Sequence, residues 1–529
     1  MGKLGRTVGT YYITTAIDYP NGPPHIGHSL EKIAADVVAR YHRLQGDDTF
    51  FCMGLDENSQ HVVAAADARG VSARVWVDRM DEAFRLAWRK LECSYDRFIR
   101  TTEEVHFRAS QELFSRAQRA GDVYKGVYSG YYCPNCNTFY TQDELTPQGT
   151  CPNHPTLTPE WLEEENYFFA LSKYTDRLRE YVESHPGFIV PATWRGEILS
   201  LLRQGLRDFS VSRPMRSVRV VDGKPWGVPV PGDPEHVLYV WFDALTNYLT
   251  AAGFPDDTAR FERYWPADAH VIGKDITRFH CLYWPAMLMS AGLELPKSVA
   301  VHGFMTLEGQ RISKTTGNIL DPVELVDEFG ADAVRYYLMR DVSFERDGDF
   351  TRANLIQRYN SDLANDLGNL LNRTVSMIGR YCQGVVPEAE PVGGEREADV
   401  LRVAREAREA TAKGIGSWDF DGALDGAWQL VRRGNQYIDE SEPWRLARDP
   451  DQRARLGTVL YHAAEALRLL SIHLAPFVPT AVEKIRTQLG QPPLQPGDWR
   501  DQTAWGGLLA GSRVDRAQPI FPRIEAAPA

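Results

Sequence analysis

The stretch that most constrains this chain is residues 11–44, YYITTAIDYPNGPPHIGHSLEKIAADVVARYHRL. Residues 12–17 are aromatic and β-branched, the composition of a buried strand. Residues 18–27 are crowded with Pro and Gly and read as a loop. From His28 onward Leu30, Ile33, Ala34, Val37, Val38, Tyr41 and Leu44 recur at steps of three and four, which predicts a helix with one core-facing stripe. A second apolar run over residues 49–53 ends at Gly54, so the unit reads strand, loop, helix, strand. That is the βαβ crossover of a parallel sheet. In such sheets ligands sit at the carboxyl ends of the strands, where a helix N-terminus offers free N–H groups to an anion.

The loop sets His25 and His28 at that helix N-terminus, with Gly27 between them leaving room for a flat ring or a phosphate. Imidazole N–H groups can donate to phosphate oxygens. Three readings stay open for the pair: polar loop residues, half of a metal site, or a phosphate cradle. For a metal, the nearest partners Asp36 and His42 lie along the same helix and not in a compact cluster. The surroundings have to decide.

A second basic loop lies far downstream. A strand over residues 298–301 leads through His302-Gly303-Phe304 to a Gly309-Gln310 turn and then to Arg311-Ile312-Ser313-Lys314-Thr315. A Lys on a flexible loop can follow a moving phosphate as a point charge. Tyr19-Pro20-Asn21-Gly22 followed by His25-Ile26-Gly27-His28 resembles the first nucleotide-binding motif of class I aminoacyl-tRNA synthetases, in its methionyl-tRNA synthetase version. Residues 311–315 are similar to that family's second motif, Lys-Met-Ser-Lys-Ser, and Gly317-Asn318 and Asp321-Pro322 continue the pattern. The resemblance implies that His25, Gly27, His28, Asp275, Arg311, Ser313 and Lys314 bind ATP, with His25, His28 and Lys314 catalytic.

Length and composition set outer bounds. A chain of 529 residues has room for two or more domains, each with its own core. Its 43% hydrophobic and 25% charged content are those of an ordinary soluble protein. The net charge of -12 argues against indiscriminate nucleic-acid binding, so a tRNA partner needs a local basic surface. Residues 1–10 lack the apolar core of a signal peptide. The longest apolar tract, residues 461–478, is broken by Glu465, Arg468 and His473, which rules out a membrane span. Seven Cys in this length make no disulfide scaffold. A cytoplasmic protein without a membrane partner is expected.

Helices are predicted over residues 72–91 and 102–120, the second opened by a Thr101-x-x-Glu104 capping pattern and closed by Gly121. Strand-like sequence from Val123 then carries Cys133-Pro-Asn-Cys136 and, further on, Cys151-Pro-Asn-His154. Two short knuckles that each present two ligands are close to ideal for tetrahedral Zn²⁺. With four ligands and no spare nearby, the site reads as structural, and folding of this lobe should depend on the metal. A zinc lobe inserted between the halves of the sheet is also what the resemblance implies.

Residues 168–213 have a helical pattern that ends in Ser212-Arg213. The family passes almost directly from such a pair to Trp-Gly-x-Pro-Val-Pro, present here as residues 226–231. Residues 214–225 intervene, with Asp222-Gly223 as a good hairpin turn. Upstream, Asp56-Glu57-Asn58-Ser59-Gln60 closes the second strand. Asp56 there reads either as the partner of an ammonium group or as a helix N-cap. The family usually has Thr-Asp-Glu-His-Gly, so Leu55, Asn58 and Ser59 are departures.

Residues 237–248 begin as a buried strand and turn helical, with Trp241, Ala244 and Tyr248 at helical spacing. Residues 270–276 repeat the strand-to-loop pattern and continue into a helix with His280. With Ile17 and Tyr19 these supply an apolar, aromatic slot that suits a thioether. The resemblance implies a methionine site made of Ile17, Tyr19, Trp241, Ala244, Leu245, Tyr248, Ile276 and His280, with Asp56 for the amino group.

Beyond Asp327 the pattern is helical throughout, punctuated only near residues 383–394. Arg352, Arg358, Arg373 and Arg380 concentrate positive charge at its start, a track for a phosphate backbone. The resemblance implies that the anticodon meets Asn369, Arg373 and Trp444, an aromatic beside polar groups being the means by which single-stranded bases are read. The expected fold is therefore α/β: a Rossmann-like parallel sheet for nucleotide binding, split by a zinc-binding insertion and followed by an all-α helical bundle. The expected boundaries are residues 1–122 and 236–300 for the two catalytic halves, 123–235 for the insertion, 301–355 for the phosphate loop and stem contacts, and 356–529 for the anticodon-binding domain.

The reaction implied is ATP-dependent activation of methionine to methionyl-adenylate, with Mg²⁺ accompanying ATP and structural Zn²⁺ in the lobe, then transfer to the 3′ end of methionine tRNAs, initiator and elongator. A monomer is expected, since no appended RNA-binding domain follows. The rivals are a related class I synthetase for another amino acid and a paralogue that has lost aminoacylation and binds RNA or a partner. Branched-chain enzymes would carry a larger insertion, and both phosphate motifs argue against the paralogue.

Overall fold

The computed structural model describes residues 9–133, 138–312, 318–389, 394–497 and 499–525. Among them, strand β1 (Thr10–Thr15) runs through the middle of a six-stranded sheet. On one side lie β2 (Asp48–Leu55) and β3 (Arg97–Arg100); on the other follow Ala269–Gly273, Val299–His302 and the short Ile189–Val190. Every pairing is parallel. Strand order reverses at β1, so the crevice between β1 and Ala269–Gly273 is the switch point where such sheets take ligands.

Side chains alternate across the sheet with the period of two that a strand imposes. Phe50 and Cys52 join Tyr12, Ile99 and Val301 in one core, shared with the insertion. Phe51 and Met53 join Ile13, Phe98 and Val271 in the other, which runs without a break into the C-terminal helices as far as Ile485. The helix α1 (Ile26–Leu44) lies on this second face and contacts the helix Ala331–Asp341 beyond. It is not half-solvated, as a single stripe would require: Glu31, Lys32 and Asp36 are also buried, each with charged partners.

The inserted lobe is a long hairpin, Val123–Cys133 against Glu160–Phe169, flanked by Thr138–Tyr140 and Phe209–Ser210. The chain returns to the central sheet before residue 235. Between the helices Thr175–Ser184 and Ala192–Gln204, Ile189–Val190 pairs with Val299–His302 as an edge strand, so residues 168–213 are not helical throughout. Gly348–Phe350 likewise pairs with Met305–Leu307, adding a strand beyond Asp327. The capping box at Thr101 does not form. The helix Glu104–Arg119 has Glu103 at its N-cap, and the Thr101 hydroxyl instead accepts the Glu57 N–H at 2.8 Å. No helix among the described residues is long and apolar enough to cross a membrane.

Candidate active site

The loop after β1 delivers His25 to the N-cap of α1 and His28 one turn in. His28 Nδ1 lies 3.1 Å from the His25 N–H and 3.3 Å from the His25 carbonyl oxygen, which ties the second ring to the N-cap. The two rings lie 3.8 Å apart, both half-buried. Among the described residues no carboxylate or further imidazole joins them in a metal-binding cluster. A Cβ on Gly27 would stand 2.9 Å from His25 Nδ1 and 3.3 Å from Ile312 Cδ1. The space left by the missing side chain is therefore used by the protein itself, to close the second loop onto the first. The Ile26 N–H donates to Leu320 O at 2.9 Å from the other side of that loop. Ser313 and Lys314, between these flanks, lie outside the described residues. Arg311 ends the strand Gln310–Arg311, and Asp275 is exposed just past the carboxyl end of Ala269–Gly273.

A buried charge cluster supports this loop from below. Lys32 Nζ donates to Ala16 O at 2.8 Å and lies 3.2 Å from Asp18 and 2.7 Å from Glu31. His302, from a neighbouring strand end, reaches Glu31 at 3.3 Å. Burial disfavours both charges, but Asp18 and Glu31 hold the Lys32 ammonium above its usual range. Lys32 and His302 likewise outweigh burial and hold Glu31 below the carboxylate range.

The aromatic slot assembles beside β1. Tyr19 meets Trp241 edge-on at 6.4 Å, and Trp241 stacks on Phe279 at 3.7 Å. A π-helical turn, Phe279–Tyr283, carries Phe279 and His280; such turns recur at functional sites. His280 Nδ1 donates to Ile276 O at 3.1 Å and Nε2 accepts from the Tyr248 hydroxyl at 2.7 Å. Burial pushes this imidazole down to about 4. Ala244, Leu245 and Tyr248 are buried around it, while Ile17 and Ile276 are half-buried. Phe279 was missed in the sequence, although it directly precedes His280.

Asp56 lies at the carboxyl end of β2 and is 2% exposed. The N-cap reading fails, because Ser59 caps the following helix, Gln60–Asp67, its hydroxyl accepting from the His61 N–H. Asp56 Oδ1 has no hydrogen-bond partner among the described residues. Burial, and then the nearby Asp243, raise this carboxyl well above its usual range. Asn58, at the family's His position, donates to Thr101 O at 3.0 Å and to Asp243 Oδ2 at 2.7 Å. His106 meets the other Asp243 oxygen at 2.7 Å.

In the lobe, Cys133, Cys151 and His154 gather with their ligand atoms within 4.8 Å of one another. His154 Nδ1 is 3.8 Å from Cys133 Sγ and 3.7 Å from Cys151 Sγ. A tetrahedron with zinc–sulfur of ~2.3 Å and zinc–nitrogen of ~2.0 Å has an S···N edge of about 3.5 Å, so the three fit such an ion. Cys136 lies outside the described residues.

In the helical domain, Asn369 Nδ2 donates to Asn435 Oδ1 at 3.1 Å, and Arg373 pairs with Asp439. The helix Phe420–Ser441 that carries these partners leads directly into Pro443–Leu446, with Trp444 half-buried. The predicted basic track is largely neutralised. Arg352 pairs with Glu328, Arg358 with Asp341 and Asp362, and Arg373 with Asp439, while Arg380 lies over the Tyr381 ring. Of these acids only Asp362, four residues after Arg358, was within reach of the sequence; Glu328, Asp341 and Asp439 come from other elements.

A reversing parallel sheet with the flanks of two distant nucleotide motifs in contact at its switch point defines a class I aminoacyl-tRNA synthetase. A sequence profile described as tRNA synthetases class I (M) matches residues 11–157 and 155–375, and one described as the anticodon binding domain of methionyl tRNA ligase matches residues 386–528. The chain is 45% identical to a methionine–tRNA ligase of Caldanaerobacter subterraneus subsp. tengcongensis, over 98% of this chain and 79% of the relative. It is also 45% identical to that of Brucella suis biovar 1, over 97% of this chain and 98% of the relative. The solved structure of Mycobacterium tuberculosis methionyl-tRNA synthetase in complex with methionyl-adenylate superimposes with a TM-score of 0.91 at 40% identity, covering 98% of this chain and all of that one. The chain belongs to the methionyl-tRNA synthetase family, the methionine–tRNA ligases.

Proposed function

We propose that this chain activates methionine with ATP and transfers it to the 3′ end of methionine tRNAs, with the residues of the switch-point crevice in the following roles. The observation that carries the reading is the contact of Ile312 and Leu320 with the first motif, beside an aromatic slot that ends at Asp56. The methionine carboxylate attacks the α-phosphate of ATP, and pyrophosphate leaves. The tRNA ribose hydroxyl then attacks the adenylate carbonyl, forming the ester as the acyl–phosphate bond breaks and AMP leaves. His25, His28 and Lys314 stabilise charge that develops on the phosphates, Arg311, Ser313 and Asp275 hold the nucleotide, and Gly27 lets the two loops close. No protein nucleophile is needed: alignment and electrostatic stabilisation supply the rate.

Asp56 takes the substrate ammonium. A buried carboxyl with one unpartnered oxygen lacks a counter-charge, and the ammonium provides it. In the slot, Tyr248 and His280 satisfy each other and Ile276 O, so they offer no unpaired donor to the side chain. An uncharged, polarizable thioether is the ligand such walls favour. One methyl group separates methionine from homocysteine, worth only ~1–3 kcal/mol in a pocket, so misactivated homocysteine is rejected after activation.

Mg²⁺, carried by ATP, would offset charge on the departing phosphates. Cys133, Cys136, Cys151 and His154 would hold Zn²⁺ as a structural ion that keeps the lobe folded. Asn369, Arg373 and Trp444 read the anticodon of initiator and elongator tRNAs. The reading extends to a cytoplasmic monomer. The test is methionine-dependent ATP–pyrophosphate exchange. His25→Ala combined with Lys314→Ala abolishes it, and undiminished exchange in that double variant refutes the assignment.

A further inference from the structure

The sequence left residues 214–225 unexplained and three departures in the loop that holds Asp56. In the structure the insertion and this loop meet, through Gln60 and Glu57 and not through the three departures. After the turn Met215–Ser217 the insertion forms a small hairpin, Val220–Val221 against Lys224–Pro225. Its tip is Asp222-Gly223, at φ +52° and +76°, the positive angles of a two-residue hairpin turn. At its base the Trp226 N–H donates to Arg219 O at 2.9 Å.

The reciprocal bond of an antiparallel pair would run from Arg219 N to Trp226 O. Here the side-chain amide of Gln60 is inserted in its place. Gln60 Oε1 accepts the Arg219 N–H at 3.0 Å and Nε2 donates to Trp226 O at 3.1 Å. Two further ties bind the same elements. The Trp226 indole donates to Glu57 O at 2.7 Å, and Arg219 pairs with Asp67 at the far end of the Gln60–Asp67 helix. On its opposite side the Asp56 loop is anchored to the end of β3 by Glu57 and Asn58 through Thr101. A cavity of about 100 Å³ lies between Asn58 and Gln60 of the loop, Val218 and Trp226 at the hairpin's base, and strands of the inserted lobe. The loop thus has space to move into once the tie at Gln60 is cut.

We infer that the inserted hairpin is a clamp on the substrate-ammonium loop, with Gln60 as the positioning residue that fixes Asp56 for methionine. The inference rests on the reading of Asp56 as the ammonium partner. The Gln60 amide is taken up by the backbone of Arg219 and Trp226, so it acts through the backbone of residues 56–60.

The test compares ligands that do and do not present an ammonium. Gln60→Ala is measured in exchange for the KM of methionine and of ATP, and for inhibition by L-methioninol, which keeps the amine, and by 4-(methylthio)butanoate, which lacks it. The expected result is a rise of about tenfold in the methionine KM and the methioninol inhibition constant. The ATP KM and the inhibition by 4-(methylthio)butanoate stay within about twofold. Gln60→Glu keeps the acceptor for Arg219 but loses the donor to Trp226 O, and shifts the same two constants if Gln60→Ala does not fold. Equal changes for all four ligands, or none, in both variants overturn the clamp. Asp56→Asn separates the two readings. If it leaves the methionine KM unchanged, the ammonium role itself fails; if it raises that KM while the Gln60 variants do not, only the clamp fails.

Discussion

Arg335 and Asp36 form an ion pair of 2.7 Å with neither side chain exposed to solvent. Asp36 lies on α1 and Arg335 on the helix Ala331–Asp341, so the pair fastens the nucleotide-binding half to the helical half. Arg335 also donates to the carbonyls of Leu91, Pro476 and Phe477, and Asp36 accepts from Ser94 and Arg40. Arg335→Met leaves three carbonyls without their donor and the buried Asp36 carboxylate with only Arg40 and Ser94 as partners. It should cost about 3–5 kcal/mol, read as a lower denaturant midpoint. Burial opposes the Asp36 charge, but Arg335 and Arg40 hold its carboxyl below the usual range. Its stabilising effect is thus complete above an unfolded-state value near ~3.9 and lost as pH falls below that.

His280 gives a second pH dependence in a different window. The unfolded imidazole takes a proton near ~6.5, whereas the folded one resists it down to about 4. The unfolded state therefore binds more protons between these values, and stability falls as pH drops through them. The total from this residue is on the order of 3 kcal/mol. His270 and His473 shift in the same direction, so the measurement is a difference: unfolding free energy against pH for the parent and for His280→Gln. The two curves should converge as pH falls from 6.5 to 4.

Metal removal should act on the lobe first. A chelator, or Cys151→Ser, is expected to open residues 138–160 to proteolysis while the central sheet stays protected. Metal analysis of the purified chain should find about one zinc per molecule. A lobe equally resistant to protease with and without the chelator would count against the structural ion.

Recognition of tRNA is separable from chemistry on the amino acid. Arg373→Ala should lower kcat/KM for tRNA charging by about 10- to 100-fold, the cost of one base-edge contact. Pyrophosphate exchange, which needs no tRNA, serves as the check that the catalytic half is intact. Because Arg373 is paired with Asp439, Asp439→Asn should alter charging as well.

What could be seen in the sequence followed its local periodicity. β1, α1 and β2 have composition and spacing that fix their type, and two motifs of matching chemistry in the right order pointed to one crevice. β3 was missed because Arg-Phe-Ile-Arg is only four residues long and carries a charge at each end. The edge strand Ile189–Val190 is two residues between two helices, too short for any period to show. The burial of Glu31 and Asp36 was illegible for another reason: their partners His302 and Arg335 are hundreds of positions away. Phe279 was hidden because the ring it stacks on, Trp241, comes from another element of the chain.

The enclosure of α1 has a consequence for how the molecule can be divided. This helix has 19 residues, about 28 Å of rod, with the two imidazoles at its head and the Arg335 rivet at its middle. A stretch so gripped cannot tilt at one end without disturbing the other. The helix Ala331–Asp341, which lies outside the sheet, therefore helps to set the stiffness of the histidine pair. A fragment ending before the helix Ala331–Asp341 would keep both motifs yet lose the Arg335 contact that steadies α1.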